Sequence, residues 1–179
     1  MNRGFILASA AGLTIAISGV GARADDRSEI DALYAKLTAA LKNKTPEAIT
    51  ALEAPGFTST SAGKTINGKQ LLEQMKQRNA TSGPIKDVSV SVKKADIKGK
   101  SAKVVSDFSY TVEVVDKDGH MGAKGGTHEM SMSGLVKNDL VKTYGGWKFL
   151  TMQQGAGKML VDGKPVGPAP PGTRKVPKR

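Results

Sequence analysis

Only two histidines occur in the 179 residues, and both fall in "GHMGAKGGTHEMSMSG", residues 119–134. His120 and His128 could move protons near neutral pH or bind a metal. His120 follows the turn signal Asp118-Gly119, which places it at an exposed loop. His128 alternates with Met130 and Met132, so it shares their face while Glu129 points the other way. Adjacent residues on a regular strand cannot converge on one ion, and the spacing of the two histidines matches no common zinc pattern. No metal site and no cofactor are expected. His128 remains as a proton carrier near the rim of a cavity that Met130 and Met132 would line. The competing reading is a histidine hydrogen-bonded at the end of a half-buried strand, because no acid is evident in the sequence to orient its ring.

Other chemistries find less support. "GAKGG" lies inside a hairpin and not between a strand and a helix, so it is no phosphate loop. No serine occupies a nucleophile elbow. The chain carries 27 Lys and Arg against 16 Asp and Glu, but the charge is dispersed and little interleaved with aromatics. No specific nucleic-acid partner is therefore expected. What remains is an apolar lining. Tyr34, Phe57, Met75, Phe108, Tyr110, His128, Met130 and Met132 are the candidate ligand contacts, since methionine and aromatic surfaces accept varied apolar molecules. Each also has the plainer reading of core filler. Tyr34 and Tyr110 stand out because a buried hydroxyl needs a partner. Trp147, after a double glycine, reads as a hairpin anchor.

Helices and then strands must position these residues. "DDRSEIDALYAKLTAALKNK" places Ile30, Leu33, Leu37 and Leu41 at helical steps. Ser28 and Asp31 suggest a capping pair at its start. "KTPEAITALEAPGF" predicts a short second helix with Thr45 as N-cap, Pro46 in the first turn and a stop at Pro55-Gly56. "FTSTSAGKTING" reads as a strand and hairpin with turns at Gly63 and Asn67-Gly68. "KQLLEQMKQRN" predicts a third helix burying Leu71, Leu72 and Met75. After Gly83-Pro84 the period falls to two. Val88, Val90 and Val92 alternate, then Val104, Phe108, Tyr110, Val112 and Val114 on the next strand. Two more strands, "THEMSMSGLVKNDLVKT" and "WKFLTMQQG", complete an antiparallel meander. The expected class is α+β, with three N-terminal helices on a curved antiparallel sheet.

The order of a helix, a short helix with "TPEAI", a "PGFTST" strand, an "INGKQLLEQM" helix, a long hairpin and a closing "GGWKFL" strand resembles the nuclear transport factor 2-like superfamily. The match is to its SnoaL-like and ketosteroid isomerase-like branch, which includes secreted domains of unknown function, and it covers about Ser28 to Gln154. The resemblance implies a cone-shaped α+β barrel around an apolar cavity, and homodimers through the outer sheet face. It also implies one of three functions: noncatalytic ligand binding, isomerase, cyclase or dehydratase activity, or assembly, in which the basic tail would meet an acidic surface. A ketosteroid isomerase-like enzyme should carry a carboxylate base inside the cone. "FTSTS" has no acid, and Asp107 and Glu113 alternate away from Phe108 and Tyr110.

The chain ends set the address. Arg3, an apolar run from Phe5 to Val20 and "ARA" at 22–24 read as a signal peptide over residues 1–24, cleaved before Asp25. Cleavage removes two arginines, leaving 25 basic against 16 acidic residues, a net charge of +9. The chain has no cysteine, which excludes disulfides and a lipidated N-terminal cysteine. Residues 25–156 form the domain, and the proline-rich, basic residues 157–179 read as a flexible tail. The expectation is a periplasmic or secreted domain with no membrane span in the mature chain. It would bind a small hydrophobic ligand without catalysis. The alternative is an isomerase, cyclase or dehydratase on a small hydrophobic substrate, with His128 or Tyr110 as acid or base.

Overall fold

A computed structural model describes residues 21–116, 119 and 125–166. The elements run α1 (Gly21–Lys42), α2 (Pro46–Thr50), β1 (Glu53–Ser61), β2 (Lys64–Asn67), α3 (Gly68–Thr81), β3 (Ser82–Lys98), β4 (Ser101–Val115), β5 (Thr127–Thr143), β6 (Gly146–Val161) and β7 (Lys164–Pro165). His120 and most of the expected signal peptide lie outside the described residues.

The α+β class holds, with two corrections to the expected sheet. Strands β3 to β6 form the antiparallel meander, but β1 joins beside β6 in parallel, so the sheet is mixed. Its order, β2-β1-β6-β5-β4-β3, leaves β2 and β3 as unjoined edges, and β7 extends β6 as a short flap. The barrel is therefore open. Strand β2 has only four residues before its chain turns into α3, too few to reach across to β3.

The helices differ in how firmly they pack. On α1 the buried stripe is Ile30, Leu33, Tyr34, Leu37 and Ala40, the helical period the sequence shows. The helix does not begin at Ser28; it runs unbroken from Gly21 through the expected cleavage point after Ala24. Lys142 of β5 holds its first turns through Asp26 at 2.6 Å and Glu29 at 3.1 Å. Thr45 makes no side-chain cap for α2; its hydroxyl donates back to the Ala40 carbonyl instead. Pro46 does sit in the first turn. Pro55-Gly56 does not end α2. It falls within β1, where the pairing with β6 slips between Glu53 and Thr58 and Gly56 takes φ +80°. Helix α3 starts on a reciprocal capping box, Asn67 with Gln70, so Asn67 is a cap and not a hairpin turn. Leu71, Leu72 and Met75 are only half-buried, and α3 buries no residue fully.

One lysine fixes the corner where these helices meet the sheet. The Lys44 ammonium donates to the Ser82 and Gly83 carbonyls and the Ser82 hydroxyl at 2.8, 2.6 and 3.1 Å. The Lys44 carbonyl accepts from Asn79 at the end of α3. Lys44 thereby joins the end of α1 to the end of α3 and the start of β3.

The expected domain boundary at 156 falls inside β6. The strand runs on to Val161, turns at Asp162-Gly163 and returns as β7. Both turn residues have positive φ, +49° and +74°, as a two-residue hairpin turn of the mirror-image kind requires. The core proper lies between α1 and the inner sheet face, centred on Phe149, Ile30, Leu140 and Val104. A second cluster, Val88, Tyr110 and Val112, occupies the far end of β3 and β4.

Candidate functional site

Between the three helices and the inner face of β3 to β6 lies a cavity of about 150 Å³. Leu37 and Leu41 of α1, Ile49 of α2, and Leu71 and Met75 of α3 form its helical side; Val90, Phe108, Val136 and Met152 face them from the sheet. Its polar end is made by Tyr34, Ser106 and Asn138. Alternation explains the last two, because Ser106 stands between inward-facing Val104 and Phe108, and Asn138 between Val136 and Leu140. All three are at most 2% exposed.

The hydrogen bonding at that end is incomplete. The Asn138 amide nitrogen donates to the Ser106 hydroxyl at 3.4 Å, a long contact. The Asn138 carbonyl oxygen and the Tyr34 hydroxyl lack a partner at ideal hydrogen-bond geometry, although the Ser106 and Asn138 side chains stand close enough to bond the Tyr34 hydroxyl. Burial pushes the Tyr34 hydroxyl above the ordinary tyrosine value, and the side chains of Ser106 and Asn138 beside it act the other way. Tyr34 is held by edge-to-face packing on Phe149, with centroids 5.4 Å apart. Its phenol therefore stays neutral, at the polar end of an otherwise apolar space. No Asp, Glu, Lys, Arg or His lines this cavity among the described residues.

The sequence candidates divide. Tyr34, Met75 and Phe108 line the cavity. Phe57 is buried in the core beyond it. Tyr110 stacks on Phe108 at 6.2 Å and packs with Met130 and Met132 in the second cluster. Burial raises the Tyr110 hydroxyl, with the Arg78 charge opposing. His128 pairs with Val114 near the far end of β4 and β5, and none of Tyr110, His128, Met130 and Met132 borders the cavity. Among the described residues no three His, Asp or Glu side chains gather as metal ligands.

His128 does have an acid partner. Its Nδ1 lies 2.7 Å from the Asp162 carboxylate in the β6–β7 turn. The other carboxylate oxygen accepts the Glu129 N–H, and the Asp162 N–H donates to the Glu129 carbonyl. The bond to His128 and then that backbone N–H hold the Asp162 carboxyl below the usual carboxylate range. The His128 Nε2 is buried without a partner.

A carboxylate the sequence analysis passed over is Glu53, the first residue of β1. It borders an open groove with Phe57, Asn67, Gly68 and Lys69. Burial alone raises its carboxyl to about 7, and its Oε1 is buried and unpartnered. This groove shares no lining residue with the cavity. A larger open groove of about 740 Å³ on the outer sheet face is lined largely by serine and glycine, with Leu135 and Lys158.

No protein-family model matches this sequence, and no curated protein matches it. Solved structures do match in shape. A scytalone dehydratase-like protein from Novosphingobium aromaticivorans superposes with a TM-score of 0.61 at 13% identity, covering 75% of this chain and 87% of its own. A ketosteroid isomerase-like protein from Erwinia carotovora atroseptica gives 0.55 at 16% identity, covering 79% and 96%. A nuclear transport factor 2-like protein from Cytophaga hutchinsonii gives 0.54 at 15%, covering 73% and 97%. The chain has the nuclear transport factor 2-like fold. At these identities the likeness concerns the backbone, and one fold of this kind carries both binding and catalysis. In this nuclear transport factor 2-like chain the space beneath the helices has a neutral polar end, and its perturbed carboxylate, Glu53, stands in a separate groove.

Proposed function

We propose that this protein is an exported domain of the SnoaL-like kind that binds a small, largely apolar ligand in the cavity beneath its three helices, without catalysis. The observation that carries this reading is the lining itself. The cavity walls are aliphatic, methionine and phenylalanine, and the polar end consists of neutral groups. General acid–base catalysis needs a titratable group within hydrogen-bond reach of the reacting atom, and the one such group in the lining described here is Tyr34, whose hydroxyl burial holds in its neutral form. The export part of the reading rests on the sequence of residues 1–24. It places the mature protein in the periplasm or outside the cell. No described helix is long and apolar enough to cross a membrane. A homodimer through the outer sheet face also belongs to this reading; Val115 and Leu135 are exposed there at 43% and 49%, and light scattering of the mature protein would measure it.

Two measurements test the proposal. Protein purified from its native envelope should have Asp25 as its first residue by intact mass, and an extract should contain a retained small molecule. Val136→Phe, which fills the cavity from the sheet side, should lose that molecule and keep the fold. A mature chain that retains Met1 would overturn the export reading.

The alternative, an isomerase, cyclase or dehydratase, gains one specific support. Asp162 orients His128 and leaves its Nε2 free, the relation a general base needs. That nitrogen lies outside the cavity, however. Measured turnover on a ketosteroid-like or polyketide-like substrate that collapses in His128→Gln, with the fold intact, would establish the enzyme instead.

A further inference from the structure

Two residues of the cavity wall also belong to the second apolar cluster. Leu41 and Phe108 line the cavity and pack against Val88, Tyr110 and Val112. Apolar surface therefore continues from the cavity along β4, where the Phe108 and Tyr110 rings stack with centroids 6.2 Å apart. One stripe of α3 lies over this surface. Leu71 and Met75 line the cavity, and Arg78 follows Met75 by three residues, which puts it on the same side of the helix one turn further on. Its charge lies close enough to act on the Tyr110 hydroxyl. Arg78 is exposed and takes part in no ion pair among the described residues. The β4 acids on either side of Tyr110 in sequence, Asp107 and Glu113, are paired with Lys93 and Lys86. The apolar surface thus ends at a guanidinium without a countercharge, beside a phenol O–H. A guanidinium presents paired N–H donors that match a carboxylate, and the phenol adds another donor. One positive charge balances one negative charge. A phosphate dianion would leave the second charge uncompensated, and an ammonium would be repelled.

We infer that the ligand is an amphipathic monocarboxylate, its apolar end in the cavity and its carboxylate held by Arg78 and the Tyr110 hydroxyl. This rests on the pocket reading above and names the polar group of the ligand. The spacing sets the size. A cavity of about 150 Å³ suits an apolar portion on the scale of benzene. That portion, roughly six carbons, and the further turn of helix from Met75 to Arg78, about 5 Å, make octanoate a matching length.

The test uses the full mature chain with octanoate and 1-octanol as probes. Binding is followed by calorimetry and by the methyl signal of Met75, which both probes should shift. Arg78→Gln removes the charge and keeps a polar side chain. It should weaken octanoate roughly tenfold, the scale of a charge-assisted bond at a partly exposed site, and leave 1-octanol unchanged. Tyr110→Phe should weaken octanoate roughly threefold, the lower end for one hydrogen bond, again with 1-octanol unchanged. The 1-octanol signal reports that each variant remains folded. Lys69→Gln, at the other end of α3, should leave both probes unchanged. Unaltered octanoate binding in Arg78→Gln would overturn the inference while leaving an apolar pocket. An equal loss in Lys69→Gln would overturn it as well, by showing that octanoate responds to the overall positive charge and not to Arg78. Failure of both probes to bind, or binding that survives Val136→Phe, would overturn the pocket reading itself.

Discussion

Replacing Glu53 with glutamine should stabilise this protein at high pH and leave it unchanged at low pH. The Glu53 carboxyl titrates near 7 in the folded chain, against an ordinary value of 4.5, because burial penalises its charged form. A carboxyl with a raised folded value binds more protons in the native than in the unfolded state between those two values, so stability falls as pH rises from 4.5 to 7. Below 4.5 both states are protonated and no cost arises; above 7 the cost is complete. Taken at face value the two titration points correspond to roughly 3 kcal/mol. Glu53 keeps partial solvent access, and screening reduces the figure to on the order of 1 kcal/mol. Glutamine keeps the shape and never ionises. Urea unfolding at pH 4, 5.5 and 8 should therefore give matching midpoints for Glu53→Gln and wild type at pH 4. The variant should be about 1 kcal/mol more stable at pH 8. The comparison cancels every other carboxylate. Gly68 supplies a second handle, because a side-chain carbon there would collide with the Glu53 carboxylate. Gly68→Ala should push that flexible group outward and flatten the same pH difference. A gap independent of pH, or a glutamine variant less stable at pH 8, would refute the reasoning, the latter by showing that the α3 N-terminus stabilises the charged form.

Two other contacts give separate expectations. Asp162→Asn should loosen the β6–β7 flap at pH 7, seen as faster hydrogen exchange at the amides of Asp162 and Val166, which donate to Glu129 and Met159. Because the Asp162 carboxyl is held below its ordinary range, its contribution is present above the unfolded carboxylate value and fades as pH falls through the lowered folded one, so the difference between variant and wild type should shrink steadily as the pH is lowered into the acid range. Lys44→Met removes three charge-assisted bonds to Ser82 and Gly83, and urea unfolding should show a loss of about 2 kcal/mol; no loss would mean the corner is held by packing alone.

Much of the fold was legible because periodicity is local. Ile30, Leu33 and Leu37 repeat at helical steps, and Val104 to Val114 alternate; both patterns match the observed burial. What escaped was long-range. Nothing in "APGFTST" says that β1 will lie parallel to β6, almost a hundred residues later. Glu53 was hidden by the same slip. Reading Pro55-Gly56 as a helix stop leaves the acid in a helix end, whereas the strand begins at Glu53 and bulges around those two residues. The polar end of the cavity was hidden by its own alternation. Ser106 and Asn138 occupy inward positions on strands otherwise filled by valine and leucine, and an inward polar residue is the departure from pattern that marks a site.

The partner of His128 shows why composition misleads at a chain end. Asp162-Gly163 is a strong two-residue hairpin signal, preceded by the alternation of Met159 and Val161. The proline-rich composition from Pro165 onward gives the whole segment the look of a tail and masks that signal. In the structure that hairpin folds β7 back on β6 and delivers Asp162 to the His128 ring, 34 residues away in sequence. The pair is well made but faces no cavity, so its evident consequence is mechanical. It pins the flap to β5 through three hydrogen bonds that converge on one residue. The polar groups of Tyr34, Ser106 and Asn138 present the opposite case, loosely bonded among themselves but placed on the cavity wall. A pair outside the cavity can hold structure, whereas neutral polar groups on its wall can meet a ligand, which is why the proposed function rests on the cavity and not on the histidine.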